Sequence, residues 1–402
     1  MTLEQQVASL VTATTSLTSI VNSELNNVRQ ENTNFKNGIV DSQGQGVFDD
    51  VKVGRGGGNI SSNTIIGKDS LQLNTTGRRN SAFGNFALNQ NTVGENNSAF
   101  GSGSLSFNTT GLYNSAFGIS SLYQNTTGSY NSAFGSGSLS INTTSSYNSA
   151  FGVNSLNKST GSANSAFGGS SLTNNTTGNG NSALGNNSLV ANTTGDFNTA
   201  LGGNSLTTLV SFSNSTGVGA YTEVSGSNQV QLGDSSTTTY VYGTVQNRSD
   251  LRDKTDIRNT ILGLDFIKSL RPVDYRWDMR EDYKPTMPKA LGMEATDEQK
   301  AAYQSEVKIW LEACKLKNIV HNGTKKRNRF HHGLIAQEVK AVLTQKGIDF
   351  GGYQDHSISG GDDVLSLGYD QFIAPLIKAV QELSAQNEAL VARISVLESN
   401  LK

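Results

Sequence analysis

Between Asn80 and Gly195 the chain carries only two charged residues, Glu95 and Lys158. The whole sequence of 402 residues has 31 Lys and Arg, 33 Asp and Glu and a net charge of −2, so this poverty is local. A near-neutral chain offers no basic surface for nucleic acid or an anionic membrane. Scattered Glu95 and Asp196 do not make the paired carboxylates that glycoside cleavage needs. One cysteine, Cys314, excludes an intrachain disulfide framework and a cysteine-based zinc site. Four histidines, with only His331 and His332 adjacent, are too few for a metal centre. Nor is a cofactor expected: Gly54-Arg55-Gly56-Gly57-Gly58 lacks the Gly-Lys-Ser/Thr that completes a phosphate loop. Four prolines against 43 glycines exclude collagen and a Pro-rich linker. No apolar run reaches membrane-spanning length and Met1 is not followed by a basic segment, so assembly in a cytoplasm, without membrane insertion, is expected.

What fills the charge-poor region is a repeat. Asn-Ser-Ala-Phe-Gly begins at Asn80, Asn97, Asn114, Asn131, Asn148 and Asn164, and continues with Leu for Phe at Asn181 and, with Thr for Ser as well, at Asn198. The period is 17 residues with two slips to 16. Five residues after each Phe or Leu comes a leucine, from Leu88 to Leu206, and Asn-Thr-Thr-Gly closes most units. A period this short excludes helix pairs, and its Gly, Asn and Thr favour short strands broken by turns. Stacked in register, the Phe and Leu positions are expected to form apolar ladders in the core, and the asparagines hydrogen-bonded ones. Two or three large apolar side chains per turn is a thin core for one chain, which favours an oligomeric β-roll over a monomeric solenoid. Asn-Thr-Thr triplets read as turns rather than glycosylation sites. Because Thr-Thr sits beside Gly in turns, ice binding is not favoured.

The flanks differ in kind. Leu3, Val7, Leu10, Thr14, Leu17 and Val21, then Leu25 and Val28 after a four-residue stutter, mark a coiled-coil stalk over 1–35. Residues 36–62 read as a linker with one short strand at Val47–Val53, and 63–246 as the array. Residues 247–402 return to ordinary charged composition. There the spacing predicts an amphipathic helix from Ile257 to Leu270, a strand at Val273–Trp277, and a helix from Thr296 to about Lys317. Leu376, Val380, Leu383, Asn387, Leu390, Ile394, Leu397 and Leu401 make a second coiled coil over about 373–402. Asn387 sits in its seam, where an amide sets register and copy number. At the seam between array and C-terminal part, Ser249 and Lys254 stand five residues apart, a pair able to act as nucleophile and base if the lysine loses its proton.

Two resemblances follow. Asn-Ser-Ala-Phe-Gly with its later Leu, and Asn228–Gly233, resemble the heads of trimeric bacterial adhesins and the repeat-bearing tail fibres of phages. Ser249-Asp250-x-Arg252-x-Lys254, Leu270-Arg271-Pro272-Val273-x-Tyr275-x-Trp277, Gly333-Leu334-Ile335-Ala336-Gln337-Glu338-Val339, and Tyr369 with the helix from Ile373 resemble the intramolecular chaperone of phage fibres and tailspikes, the S74 peptidase family. The roughly 50 residues between Asp278 and Phe330 depart from that pattern. The resemblance implies a domain that trimerises, templates the fibre and cuts itself off, with Ser249 as nucleophile and Lys254 as base. Arg248, Ser249 and Asp250 then form the cleavage junction, and Arg252, Gln337 and Glu338 are motif positions with no assigned step.

The combined expectation is a mainly β, fibrous homotrimer: a β-roll or solenoid of 17-residue repeats between an N-terminal coiled coil and an α+β chaperone. It corresponds to a phage tail fibre in the virion, held by a tail or baseplate component through its N-terminus. Tyr113, Tyr123, Tyr130 and Tyr147 are candidates for stacking on a host-surface glycan. The alternatives are a structural fibre without receptor binding, and an uncleaved fibre that keeps its chaperone.

Overall fold

The computed structural model describes residues 1–39, 46–48, 51–237, 239, 241, 245, 247, 249–289, 296–359 and 363–400. The chain divides into two compact units, Met1–Ser211 and Phe212–Lys402. The division falls inside the repeat array.

The first unit opens with helix α1 (Leu3–Ile39), which outruns the expected stalk over 1–35 by four residues. Its threonines do not break it, because the hydroxyls of Thr12, Thr15 and Thr18 donate to carbonyls one turn back. The seam residues Leu3, Val7, Leu10, Leu17, Val21, Leu25 and Val28 are all exposed. The strand expected at Val47–Val53 is instead an antiparallel pair, β1 (Gly46–Phe48) and β2 (Val51–Gly54), with Phe48 opposite Val51. Asp49 and Asp50 lie outside the described residues.

Parallel strands of three residues follow, one per repeat: β3 (Thr64–Ile66), β4 (Ser81–Phe83), β5 (Ser98–Phe100), β6 (Ser115–Phe117), β7 (Ser132–Phe134), β8 (Ser149–Phe151), β9 (Ser165–Phe167), β10 (Ser182–Leu184) and β11 (Thr199–Leu201). Like pairs with like, Ser81 with Ser98 and Phe83 with Phe100, so the unit is a β-solenoid. A strand alternates its faces. Here the central alanine points inward and is fully buried, so Ser and Phe on either side must point outward. The phenylalanines are therefore not core residues, contrary to the expectation. They form a half-exposed outer column, rings stacked 4.6–4.8 Å apart from Phe83 to Phe167. The interior belongs to the alanines and to Leu88, Leu105, Leu122 and their equivalents, which are fully buried within one chain. From Leu71 to Leu206 these leucines adopt left-handed φ of 47–53°. That conformation costs an L-residue roughly 1–2 kcal/mol, which burial of the side chain, at about 1.5–3 kcal/mol, offsets. Gly118 shows why a glycine ends each strand: its φ is 134°, and a Cβ there would lie 2.7 Å from the Gly135 carbonyl.

Two asparagine columns satisfy the narrow interior. In the first, each motif asparagine accepts from the next one's backbone N–H, as in Asn97 to Asn80 at 3.0 Å. In the second, amide donates to amide: Asn91 to Asn74, Asn108 to Asn91, Asn125 to Asn108 and Asn142 to Asn125 at 2.8–3.0 Å. The 16-residue turn breaks this column, because Ser159 stands at the asparagine position and leaves Asn142 Oδ1 buried without a partner. Asn192 Oδ1 is orphaned in the same way where Leu209 follows. Ser159→Asn is expected to supply the missing donor. The gain in unfolding free energy should be about 1 kcal/mol, read from denaturant midpoints of the full chain; an unchanged or lowered midpoint contradicts the assignment.

In the second unit, β12 (Thr216–Val218) and β13 (Val230–Leu232) add two more parallel strands. The expected Ile257–Leu270 helix shrinks to α2 (Leu264–Ser269), its first N–H capped by the Glu382 carboxylate at 2.7 Å. Ile257 and Ile261, 63% and 75% exposed, pack on no surface among the described residues, and an apolar stripe without one does not hold a helix. Strand β14 (Val273–Tyr275) is followed by α3 (Asp297–Ala313), begun by a Thr296–Gln299 capping box. It ends at Ala313 rather than Lys317, since Cys314 caps it and a tighter turn at Leu316–Asn318 follows. Val307, Trp310, Cys314 and Leu316 are buried, and burial pushes the Cys314 thiol up to about 11.

Next come β15 (His331–Gly333), antiparallel to β14, and α4 (Ala336–Lys346). They are followed by the antiparallel pair β16 (Tyr353–Asp355) and β17 (Leu365–Leu367), then α5 (Ile373–Asn400). Leu262, Phe266, Val339, Leu343, Phe350 and Phe372 form the core of this part. Along α5 the seam from Leu376 to Leu397, Asn387 included, is exposed, and Leu401 lies outside the described residues. Among the described residues no helix is long and apolar enough to cross a membrane.

Candidate functional site

The Ser249–Lys254 loop is built by one carboxylate. Asp250 Oδ1 accepts from the Arg252 backbone N–H at 2.9 Å and caps a single 3-10 turn, Leu251–Asp253. That turn folds the chain back, and Lys254 Nζ donates to Ser249 Oγ at 2.7 Å. The Arg252 guanidinium lies along the same Asp250 carboxylate, with Nη2 to Oδ2 at 2.6 Å. Its hydrogen bonds hold the Asp250 carboxyl below the usual carboxylate range and raise the Arg252 guanidinium in turn. Upstream, Asn247 Nδ2 donates to Asp370 Oδ2 at 3.1 Å, tying the approach to the loop onto the turn before α5. Arg248 lies outside the described residues.

Chemically the pair is assembled but open. Ser249 and Lys254 are both exposed. A lysine acts as base only after losing its proton, which burial or nearby positive charge promotes and water opposes. The segment around it, with Leu251, Ile257 and Ile261 exposed, is an apolar surface without cover in a single chain.

The other motif positions hold the domain together. Glu338 receives the Arg271 guanidinium through two bonds, Nε to Oε2 at 3.0 Å and Nη2 to Oε1, which joins α4 to the approach to β14. This pairing keeps the Glu338 carboxyl below its usual range. Gln337 is exposed on the first turn of α4. Tyr369 Oη accepts from the Leu334 N–H at 2.9 Å and closes over Gly333, where any Cβ would collide with it. Within the basic run Lys325–Arg329, Arg327 is likewise structural and bonds Asp282 and Ser235. Asp278, Tyr283 and His321 interlock within the extra segment.

One contact had no signal in the sequence. His356 Nδ1 faces the Ser225 hydroxyl at 2.8 Å and the Gln229 side-chain amide at 2.6 Å, and its Nε2 faces Ser366 Oγ at 2.9 Å. It fastens the last turn before β13 to β16 and β17. Partners 127 and 131 residues away in sequence leave no local pattern. With two donors on Nδ1, the ring is neutral and carries its proton on Nε2. Burial holds its pKa below the ordinary value of 6.5, while neighbouring Asp355, itself paired with Lys340, pulls the other way. A histidine depressed on folding stabilises the folded state above its unfolded pKa, and that contribution is lost as pH falls below about 6.5. The stability difference between wild type and His356→Gln is therefore expected to shrink as pH drops from neutral to about 5. Thermal unfolding of both proteins across that range checks it, and a difference that grows on acidification contradicts it.

Of the tyrosines, Tyr113, Tyr130 and Tyr147 stack on one another at 5.0 and 5.1 Å, so their faces largely cover each other. Tyr123 stands apart, edge-on to Phe107. Residues 249–300, a span that opens on Ser249, match a family model described as the chaperone of endosialidase, Peptidase_S74. No curated protein and no solved structure matches the chain.

Proposed function

From a β-solenoid of 17-residue turns joined to a segment matching the chaperone of endosialidase, we propose a phage fibre or tailspike that assembles under its C-terminal part and then separates from it. The carrying observation is the 2.7 Å Lys254–Ser249 bond at the first residue of the family match. In the cleavage step, neutral Lys254 takes the Oγ proton and Oγ bonds to a flanking carbonyl carbon. The C–N bond breaks with a proton passing to the departing amine, and water then hydrolyses the ester. One event per chain suffices.

Assembly into three copies follows the resemblance to trimeric chaperones and adhesin heads. Three exposed apolar surfaces support self-association: the seam of α1, the seam of α5 with Asn387 in it, and the outer Phe column. A neighbouring copy lying over Leu251, Ile257 and Ile261 would also exclude water from Lys254, which links assembly to cleavage. In the virion, α1 attaches to a tail or baseplate component and the solenoid meets a host-surface glycan.

Purified fibre at saturating concentration is expected to block adsorption of the parent particle to its host cells. Unchanged adsorption, counted as free particles, makes the solenoid a spacer without receptor binding. The mutual stacking of the tyrosines favours that second reading.

A further inference from the structure

One residue before the motif asparagines from Asn114 to Asn198, a column runs Tyr113, Tyr130, Tyr147, Ala163, Gly180, Phe197. All six share a left-handed backbone, φ 56–66°, so the positions are equivalent and only the side chains differ. Rings stack up to Tyr147 and then stop. Tyr113 and Tyr130 are 49% and 48% exposed, whereas Tyr147 and Phe197, on either side of the ringless steps, are 64% and 67% exposed. Phe197 leans towards Gly180, where a Cβ would meet its Cδ1 at 2.7 Å. The vacant step is that of Ala163. Tyr147 and Phe197 stand three turns apart, about 14 Å at about 4.8 Å per strand, and the lean of Phe197 narrows the space between them.

We infer that this gap is a subsite for one hexopyranose ring of a host-surface glycan, held between the faces of Tyr147 and Phe197. A saturated six-membered ring in contact with an aromatic on both sides fills such a space, and its C–H faces suit aromatic stacking. The rim supplies what its hydroxyls need. Ser146, Ser162 and Asn179 form the next column over, with the Ser162 N–H bonded to Asn179 Oδ1 at 2.8 Å and the Asn179 N–H bonded to Asp196 Oδ1 at 2.7 Å. Part-exposed hydroxyls and amides in a ladder, with the Asp196 carboxylate at its end, can exchange bonds with sugar hydroxyls. The inference rests on the reading that the fibre meets a host surface, and it narrows the four tyrosines to one.

The test uses the purified full chain and the methyl glycosides of glucose, galactose, mannose and N-acetylglucosamine as probes. Saturation-transfer NMR is expected to show contact with the ring protons of at least one. Ala163→Tyr fills the gap with a ring that the same backbone already accepts at three positions, so it preserves the fold. This variant and Tyr147→Ala should each weaken binding about tenfold, while Phe86→Ala, at an exposed aromatic three residues past strand β4, leaves it unchanged. Equal binding by wild type and Ala163→Tyr overturns the subsite, as does the absence of transfer to all four glycosides. Either result combined with an intact adsorption block removes this site and leaves the fibre reading standing.

Discussion

Expressed as the full chain, the wild-type protein is expected to run under denaturing conditions as two chains, 1–248 with 249–402 or 1–249 with 250–402. Ser249→Ala and Lys254→Ala should each give one chain of 402 residues. The expectation comes from the bond between the two side chains, because a serine hydroxyl is a poor nucleophile until a base removes its proton. Removing the hydroxyl abolishes the step. Removing the base slows it by about 10²–10⁴-fold. Lys254→Arg separates chemistry from geometry, since arginine can reach the same oxygen but does not give up its proton. It should behave as Lys254→Ala does. Disruption of Asp250 should slow cleavage less severely, as Asp250 shapes the turn that returns Lys254 to Ser249. Intact mass resolves all of these, and a processed Ser249→Ala chain contradicts the assignment.

The second large effect concerns folding. Residues 1–248 alone are expected to aggregate or remain protease-sensitive. Their repeats are nearly identical, Ser-Ala-Phe pairing with Ser-Ala-Phe from β4 to β9. A slip by one whole repeat therefore costs little locally, and nothing in the strands themselves specifies register between copies. The outer Phe column is apolar and half-exposed, which favours aggregation during slow assembly. In the proposed assembly, a C-terminal template that gathers three chains through α5 would set the register before stacking propagates. A soluble, protease-resistant trimer from 1–248 alone would remove the need for a chaperone.

Much of this architecture could be read from residues. The 17-residue period and the buried leucines appear as anticipated, and Lys254 Nζ lies 2.7 Å from Ser249 Oγ. The errors share a cause. In a strand of three residues the pattern Ser-Ala-Phe does not say which face is inward, and size pointed to Phe where the narrow interior admits only Ala. Ile257 and Ile261 have helical spacing, yet helix formation depends on a packing surface that spacing does not reveal. His356 was illegible for a different reason, since its contacts join residues far apart in the chain. The orphaned Asn142 and the empty step at Ala163 become visible only once the turns are stacked, because each is defined by its neighbour in the next repeat.

The central claim, that the C-terminal part assembles the fibre and then cuts itself free, is tested most directly by one sample measured twice. The mass of the purified wild-type protein is taken first under native and then under denaturing conditions. The expected result is a native trimer whose denatured subunits end at residue 248 or 249. A native monomer of uncut 402-residue chains would contradict both assembly and release.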